Sequence, residues 1–342
     1  MKTLRLLLLP FSLLYWLITG IRNSLYNKGI FNSYTFTIPV LAVGNLSTGG
    51  TGKSPQTEYL IRLLSGKYTI AVLSRGYKRK SEGFVLADKY TGVEMLGDEP
   101  YQFYKKFPHT IIAVDANRKE GIEKLTAIKP GPEVILLDDA YQHRRVRAGL
   151  YILLTAYGDL YTDDYILPAG NLRESRSGAG RADIIVVTKC PPSLSEKERE
   201  KIIKKINPAK HQQVYFSYIA YDDRIYSATD EILVTELASV DKIIVAGIAK
   251  PEPFFNYIKQ PADSCLTYPD HHNFTDAEIT ELQKLSENKI IVTTEKDYMR
   301  LEGKLPESKL YYLPIKTAFI ENETGFNTAI SEYIHNTLIN NK

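Results

Sequence analysis

The sequence predicts an α/β protein of two domains, the first built on a parallel sheet. Three observations lead to this prediction. Short apolar runs rich in Ile, Val and Leu recur along the chain, and stretches suited to helices separate several of them. A glycine-rich segment, residues 44–55, follows one such run and precedes a predicted helix. The length of 342 residues suffices for roughly two domains of about 150 residues, each with its own core.

The composition excludes several other classes of protein. Hydrophobic residues make up 44% of the chain and charged residues 24%, which excludes a disordered, collagen-like or coiled-coil protein. A net charge of +3 is too small to indicate a nucleic-acid-binding protein. The two cysteines, Cys190 and Cys265, provide neither a disulfide framework nor a metal-binding spacing, which favours a reducing compartment.

Residues 6–21 form an apolar segment with Arg5 and Arg22 at its ends. At about 16 residues it is shorter than the roughly 20 that a transmembrane helix needs, and no signal-peptide cleavage site follows it. Two interpretations remain: a helix packed against the first domain, and a helix that lies in the membrane interface. The basic ends, together with Tyr15 and Trp16, favour the interfacial helix.

The predicted strands are nearly continuous apolar runs, which indicates a sheet covered on both faces. They lie at residues 35–46, 68–74, 110–115, 133–138, 151–155 and 183–188, and in the second α/β unit at 242–246, 289–293 and 310–314. Residues 213–228 read as two strands around an Asp222-Asp223 turn, and this hairpin is the candidate linker. The predicted division is an N-terminal helix over 1–30, a first domain over 31–212, the linker over 213–228 and a second domain over 229–342, closed by a helix near 324–338.

The segment GNLSTGGTGKSP, residues 44–55, predicts a nucleotide triphosphate site because it lies between a strand and a helix. Its glycines allow backbone N–H groups to face a phosphate, its lysine reaches the terminal phosphates, and its serine is a Mg²⁺ ligand. Ser47 stands where the strict pattern has glycine. The candidate cofactor-binding residues are Gly49, Gly50, Thr51, Gly52, Lys53 and Ser54.

Two neighbouring carboxylates end the predicted strand EVILLDD at residues 133–139. In a phosphate-loop protein an acid at this position completes the Mg²⁺ shell. Asp138 and Asp139 are therefore expected to divide the work, one toward the metal and one toward the acceptor, and the alternative is that they cap the next helix. Asp98 and Glu99 precede another predicted helix, where capping is again the alternative to a catalytic or metal-binding role.

Polar and basic side chains follow the carboxylate strand. Gln142, His143 and Arg144 lie directly after it, and Arg173 lies in the loop-like segment PAGNLR. These side chains predict a site for an anionic substrate, with an exposed basic loop as the alternative.

In the second unit, Asp270, His271 and His272 lie in a loop before a predicted capping box. Two histidines alone only weakly indicate a metal site, and the loop is equally compatible with a single catalytic histidine. Lys296, Asp297 and Arg300 follow a strand of this unit. They are either functional residues or a structural set of ion pairs, and the sequence favours neither interpretation.

Taken together, these segments resemble the lipid A tetraacyldisaccharide 4′-kinase family. The resemblance covers nearly the whole chain, to about residue 315. The matching motifs, in order, are GNLSTGGTGKSP, SRGYKRK, GDEP, LLDDAYQHRR, LPAGNLRE, GIAKPEPF, YPDHHNF and TTEKDYMR.

The resemblance implies two α/β/α domains joined by a two-stranded linker. It implies an enzyme that uses ATP and Mg²⁺ to phosphorylate the 4′-hydroxyl of a tetraacyldisaccharide 1-phosphate at the cytoplasmic face of the inner membrane. It also implies that Asp98 pairs with His271 across a cleft between the domains, the carboxylate taking the hydroxyl proton. The remaining predicted site residues are Asp139 for catalysis, Ser54, Asp138 and Glu99 for the metal, and Gln142, His143, Arg144 and Arg173 for the lipid substrate.

One alternative belongs to another functional class: a membrane-associated phosphate-loop ATPase or GTPase that acts as a switch. The GTPase version lacks a guanine-recognition motif, because Thr188-Lys189 is followed by Cys190-Pro191. No nucleic acid and no obligate protein partner is expected.

Overall fold

The computed structural model describes residues 5–270 and 272–340. The chain forms two compact units, Met1–Ile219 with Thr317–Lys342, and Ala220–Lys316. The strands are β1 (Val40–Asn45), β2 (Ile70–Ser74), β3 (Val85–Leu86), β4 (Ile111–Val114), β5 (Val134–Asp138), β6 (Leu150–Ala156), β7 (Ile184–Thr188), β8 (Gln213–Tyr221), β9 (Arg224–Tyr226), β10 (Glu231–Leu233), β11 (Lys242–Ala246), β12 (Ser264–Thr267), β13 (Ile290–Thr294), β14 (Leu310–Leu313) and β15 (Ile315–Phe319).

Helices alternate with these strands along most of the chain. They are α1 (Leu9–Asn27), α2 (Lys53–Leu64), α3 (Val93–Leu96), α4 (Asp98–Lys106), α5 (Arg118–Ala127), α6 (Glu196–Ile206), α7 (Glu252–Ile258), α8 (Asp276–Leu285), α9 (Glu295–Leu301) and α10 (Glu323–Asn340).

The first unit is built on a sheet with the strand order β15-β8-β7-β6-β1-β5-β2-β4-β3. Its strands from β8 to β4 pair in parallel, and the edge strand β3 is antiparallel to β4. Alternate residues of β1 enter different cores: Leu41 and Val43 pack with α2, α4 and α10, whereas Val40 and Ala42 pack with α5. Helices therefore cover both faces of the sheet, and the predicted parallel α/β fold is confirmed.

The second unit repeats this layering on a smaller sheet in the order β10-β9-β14-β13-β11-β12. The pairs β11–β12, β11–β13 and β13–β14 are parallel, and β9 pairs antiparallel with β10 and β14. Residues of α7 pack on one face of this sheet, and residues of α8 and α9 pack on the other.

The connection between the units differs from the predicted hairpin over 213–228. Strands do flank the Asp222-Asp223 turn, but β8 belongs to the first sheet and β9 to the second. The neighbour of β8 on the sheet edge is β15, so the two strands that link the units are far apart in sequence. A local turn signal indicates that two strands follow each other and does not determine which strands pair.

The C-terminal helix also differs from the predicted division, which assigned it to a second domain over 229–342. In the structure, α10 buries Phe326, Ile330 and Ile334 in the core of the first unit. The hydroxyl of Tyr333 on the same helix is 3.1 Å from the Val40 nitrogen of β1. An apolar helix face predicts packing against a sheet, but it does not specify which sheet.

The N-terminal helical segment Leu6–Asn27 has 22 residues, and its most apolar window of 18 residues has a mean hydropathy of 1.4. In the described part of the chain it is the helix that is long and apolar enough to cross a membrane by length and composition alone. It exceeds the predicted apolar segment because residues 22–27 continue the helix. Only 6% of the residues in that window are buried, so this segment is not a core helix.

The side of α1 that contacts the first unit is its polar side. Ser12 Oγ donates to the Ile166 carbonyl at 3.0 Å, and Tyr15 OH donates to the Arg173 carbonyl at 3.0 Å. The packed-helix interpretation is thus correct for the polar face alone. The exposed large apolar residues of the segment are Leu6, Leu7, Leu8, Leu9, Phe11, Leu13, Leu14, Trp16, Leu17, Ile18 and Ile21.

Candidate active site

The predicted phosphate-binding loop connects β1 to α2. Gly49 and Gly52 have φ angles of 120° and 83°, which side-chain-bearing residues rarely adopt, and Gly52 directly precedes the first helical residue. The first N–H groups of α2 have no acceptor within the helix, so they and the helix dipole favour a bound phosphate. Asn45 Nδ2 donates to Thr51 Oγ1 at 2.7 Å, and Thr188 Oγ1 donates to the Thr51 carbonyl at 2.7 Å. Side chains from two strands therefore hold the loop.

The first two residues of α2 contact two of the predicted carboxylates. Lys53 Nζ lies 3.7 Å from Asp139 Oδ1. Ser54 Oγ donates to Glu99 Oε1 at 2.7 Å. The loop thus contacts acids from the end of β5 and from the first turn of α4.

Asp138 lies at the end of β5 and is 1% exposed. Ser74 Oγ donates to its Oδ2 at 3.1 Å, and Thr57 Oγ1 donates to its Oδ1 at 3.4 Å. Burial, and then the negative charges of Glu99 and Asp139, raise the pKa of Asp138 to about 7. A cation here would relieve this crowding of carboxylates.

Asp139 has the opposite electrostatics. Burial opposes its ionisation, but the hydrogen bond from Arg173 and the charges of Lys53 and Arg173 outweigh burial, so the pKa of Asp139 is lowered. Arg173 Nη2 is 2.8 Å from Asp139 Oδ1 and also donates to Asn45 Oδ1. Predicted as a substrate-binding residue, Arg173 therefore lies with Asp139 and Lys53 at the phosphate loop.

The three polar residues that follow the carboxylates contact different elements. Gln142 Nε2 donates to the Asn45 carbonyl at 2.8 Å, and Arg144 Nη2 donates to Asn27 Oδ1 at 2.7 Å. Burial, and then neighbouring arginine charges, lower the pKa of His143 to about 4, so its imidazole is neutral at pH 7. The structure places His143 and Arg144 beside the same cavity and turns Gln142 toward β1.

This cavity has a volume of about 440 Å³ and lies between α1 and the start of α5. Arginine and lysine side chains on such a surface favour phosphate or carboxylate ligands. The basic residues that line the cavity are Arg22, Arg118, Lys119, Arg144 and Arg145.

Asp98 is exposed and is the first residue of α4, where Gly97 occupies the N-cap position. The alternative in which Asp98 is the N-cap is therefore not observed. Its predicted partner His271 lies outside the described residues.

In the second unit, His272 Nε2 lies 3.0 Å from both Glu278 carboxylate oxygens. The Asp297 carboxylate is buried and accepts hydrogen bonds from the Gly247 N–H at 2.8 Å and from Arg300 at 3.2 Å. Asp297 and Arg300 thus form an ion pair, as the structural interpretation of this motif predicts.

Several residues near the carboxylates have no distinctive sequence signal. Arg118 is 1% exposed and donates through Nη2 to the Asp138 carbonyl at 3.1 Å. Asn45 and Thr57 contact site residues but belong to ordinary strand and helix patterns. Ser74 could have been identified from the sequence as a site residue, because it ends a predicted strand, β2, at the same sheet edge as Asp138.

The donors around Ser54, Glu99 and Asp138 are oxygens, which suit Mg²⁺ better than a soft metal. Among residues 5–270 and 272–340, no group of three or more His, Cys, Asp or Glu side chains is arranged to hold a metal alone. Mg²⁺ seldom uses such a cage, because it keeps water ligands and binds one or two carboxylates together with substrate phosphates. The donor set and the raised pKa of Asp138 therefore fit Mg²⁺.

A glycine-rich loop that leads from a central parallel strand into a helix, with acids at the adjoining strand end, defines the class of phosphate-loop nucleotide-binding proteins. The family comparison is more specific. The chain belongs to the tetraacyldisaccharide-1-P 4′-kinase family, whose sequence model matches residues 4–335.

Individual relatives and one solved structure agree with this assignment. The chain is 58% identical to a tetraacyldisaccharide 4′-kinase of Flavobacterium johnsoniae over 338 residues, covering 99% of each chain. It is 44% identical to the enzyme of that name from Bacteroides thetaiotaomicron, covering 96% of this chain and 92% of the relative. The crystal structure of LpxK from Aquifex aeolicus in complex with ATP is similar with a TM-score of 0.77 and 30% identity, covering 97% of this chain and 99% of that one.

Proposed function

We propose that this protein transfers the terminal phosphoryl group of ATP to the 4′-hydroxyl of a tetraacyldisaccharide 1-phosphate, a step of lipid A biosynthesis. The observation that carries the proposal is the convergence of Lys53 and Arg173 on Asp139 at the phosphate loop. Family membership supports the acceptor and the position that is phosphorylated.

The phosphate loop, residues Gly49 to Ser54, would hold the phosphates of ATP through its backbone N–H groups. Ser54, Glu99 and Asp138 would hold Mg²⁺, which when bound neutralises phosphate charge. Lys53 and Arg173 place two further positive charges beside Asp139. Phosphoryl transfer depends mainly on such positioning and charge stabilisation, since there is little covalent work for the protein.

The basic cavity is our candidate site for the 1-phosphate of the lipid substrate. Arg144 and His143 line it, together with Arg22 of α1 and Arg118 of α5. A neutral His143 donates one hydrogen bond, and a bound phosphate would raise the pKa of this imidazole. Gln142 would contribute indirectly, because its amide is bonded to β1.

The base for the 4′-hydroxyl would involve two residues that are far apart in the sequence. A sugar hydroxyl is a weak nucleophile, and a positioned base contributes about 10²–10⁴-fold to the rate. The resemblance implies Asp98 as the base and His271 as the residue that orients it. Asp98 is adjacent to Glu99, which contacts Ser54 of the phosphate loop, and this supports a position close to the transferred phosphoryl group.

We further propose that α1 binds in the interface of the cytoplasmic face of the inner membrane. The helix contacts the protein with polar side chains and exposes leucines and aromatic residues, with Trp16 47% and Phe11 63% exposed. A helix attached along its length to the first unit is better placed to lie in the interface than to cross the bilayer.

The test is phosphorylation of a tetraacyldisaccharide 1-phosphate by the purified protein with radiolabelled ATP and Mg²⁺. Transfer of label to the lipid is expected, and mapping should locate the new phosphate at the 4′ position. A rate of ATP hydrolysis that does not change when the lipid is added, with no label on the lipid, would instead support the alternative of an ATPase that acts as a switch.

A further inference from the structure

The N-terminal helix contacts the segment that carries the active-site arginine. We call residues 164–174 the docking segment. Arg5, which precedes the helix, donates to the Pro168 carbonyl at 3.1 Å and to Asn171 Oδ1 at 2.9 Å. Ser12 Oγ donates to the Ile166 carbonyl and accepts from the Ala169 N–H at 2.9 Å. A membrane anchor alone has no need of such contacts.

Two of the contacts reach the end of the docking segment. Tyr15 OH donates to the carbonyl of Arg173 at 3.0 Å. Asn23 Nδ2 donates to Glu174 Oε2 at 2.8 Å. Arg173 is the residue whose guanidinium contacts Asp139, so α1 is bonded to its backbone and to the side chain of its neighbour.

Glu174 is the centre of this arrangement. Its side chain is 4% exposed, and its carboxylate also accepts from Arg181 at 2.8 Å and from Gln142 at 3.1 Å. A buried carboxylate depends on each of its donors, and loss of one leaves charge that is poorly compensated. Glu174 therefore joins α1, the loop after β5 and the docking segment at one point.

We propose that Tyr15 and Asn23 are positioning residues, through which the docking of α1 holds Arg173 against Asp139 and so sets the rate of phosphoryl transfer. The inference rests on the proposed function. It assigns α1 a role in turnover that is separate from its role in membrane binding. Small displacements of a charge-stabilising group are costly, since about 1 Å can reduce a rate by about 10²-fold.

The test compares Tyr15→Phe and Asn23→Ala with Ser24→Ala, an exposed neighbour on the same helix. Lipid phosphorylation is measured in detergent micelles at saturating ATP and lipid, where encounter with a bilayer is not limiting. We expect kcat to fall about 10-fold or more for Tyr15→Phe and Asn23→Ala, with little change in the KM for ATP and in binding to vesicles. Ser24→Ala should match the wild type.

A charge exchange keeps the test decisive if a single variant is unstable. Asn23→Asp places a second carboxylate against Glu174, and kcat should fall. Combining it with Glu174→Gln restores one carboxylate and one amide, and kcat should recover by several-fold over either single variant.

Three results would overturn the inference. The first is an unchanged kcat in Tyr15→Phe and Asn23→Ala. The second is a fall in kcat that only accompanies weaker binding to vesicles. The third is a low kcat and a low melting temperature in the single variants, with no recovery of kcat when Asn23→Asp and Glu174→Gln are combined. If the wild-type protein transfers no phosphate to the lipid, the proposed function fails and this inference fails with it.

Discussion

Arg173 and Asp139 form a two-point ion pair, with Arg173 Nη2 2.8 Å from Asp139 Oδ1 and Nη1 3.3 Å from Oδ2. Asp139 adopts a left-handed φ of 45° immediately after β5, a conformation that aspartate tolerates better than most residues. The adjacent Asp138 is buried, and burial together with the charges of Glu99 and Asp139 raises its pKa. Two neighbouring aspartates are thereby driven toward different protonation states, which is how one site assigns them different roles.

Lys53→Ala should reduce phosphoryl transfer by at least about 10²-fold, because it removes a positive charge from the site of the transferred group. The melting temperature should change little, since a lysine at the first position of a helix adds little to the core. Lys67→Ala, an exposed lysine just beyond α2, is the matched control and should be fully active. Near-normal turnover in Lys53→Ala would exclude residues 49–54 as the ATP site.

Asp138→Ala and Asp139→Ala should respond differently to Mg²⁺. We expect raised Mg²⁺ to rescue Asp138→Ala in part, because Asp138 lies near Glu99 and contributes to the affinity for the metal. Asp139→Ala should not be rescued, since it leaves Lys53 and Arg173 without their shared carboxylate. The measurement is initial rate against Mg²⁺ concentration, and activity retained in both variants would contradict the metal assignment.

The stability of the ligand-free protein should report the titration of Asp138. Its pKa is raised from 3.8 to about 7, so the folded state binds the proton more tightly than the unfolded state. The contribution of Asp138 to the free energy of unfolding therefore falls as pH rises between about 4 and about 7. His143 acts with the opposite sign, because its pKa is lowered to about 4. The comparison is consequently made between the wild type and a variant.

Urea unfolding without Mg²⁺ at several pH values provides that comparison. Asp138→Asn should gain stability over the wild type as pH rises through this interval, and Mg²⁺ should narrow the difference. Asp163→Asn, which alters a surface ion pair with Lys205, is the control and should show no such trend. A constant difference between Asp138→Asn and wild type from pH 4 to 7 would refute the assignment.

Replacing Phe11 and Trp16 together by alanine should weaken binding to anionic vesicles without lowering the melting temperature. Both side chains are largely exposed, at 63% and 47%, so they contribute to membrane contact and little to folding. Sedimentation with vesicles measures the effect. Tyr257→Ala, at an aromatic residue of the second unit that is 46% exposed, is the control. Unchanged sedimentation of the double variant would rule out the apolar face of α1 as the membrane contact.

Asp98→Ala and His271→Ala should each lower kcat by about 10²-fold or more, with little effect on the KM for ATP. The double variant should be far less impaired than the product of the two defects, because the residues act as a unit. Steady-state kinetics of the three variants, together with their melting temperatures, form the cycle. Multiplicative defects would show that the two residues act independently.

The local parts of this protein could be predicted from neighbouring residues of the chain. The run from β1 through the phosphate loop to α2, and the carboxylates at the end of β5, depend on neighbouring residues whose pattern is visible in the chain. Their arrangement at one sheet edge follows because parallel strands end together there. The fold class was predictable for the same reason.

The contacts between distant segments could not be predicted in this way and became visible in the folded chain. The pairing of β8 with β15, the packing of α10 on the first sheet and the hydrogen bond from Asn23 to Glu174 join residues far apart in sequence. Arg173 illustrates the difference, since its loop identified it as a candidate for an anion but not as the partner of Asp139. Local patterns specify which face of an element is apolar or charged, whereas burial and charge compensation in the folded chain select the partner for that face.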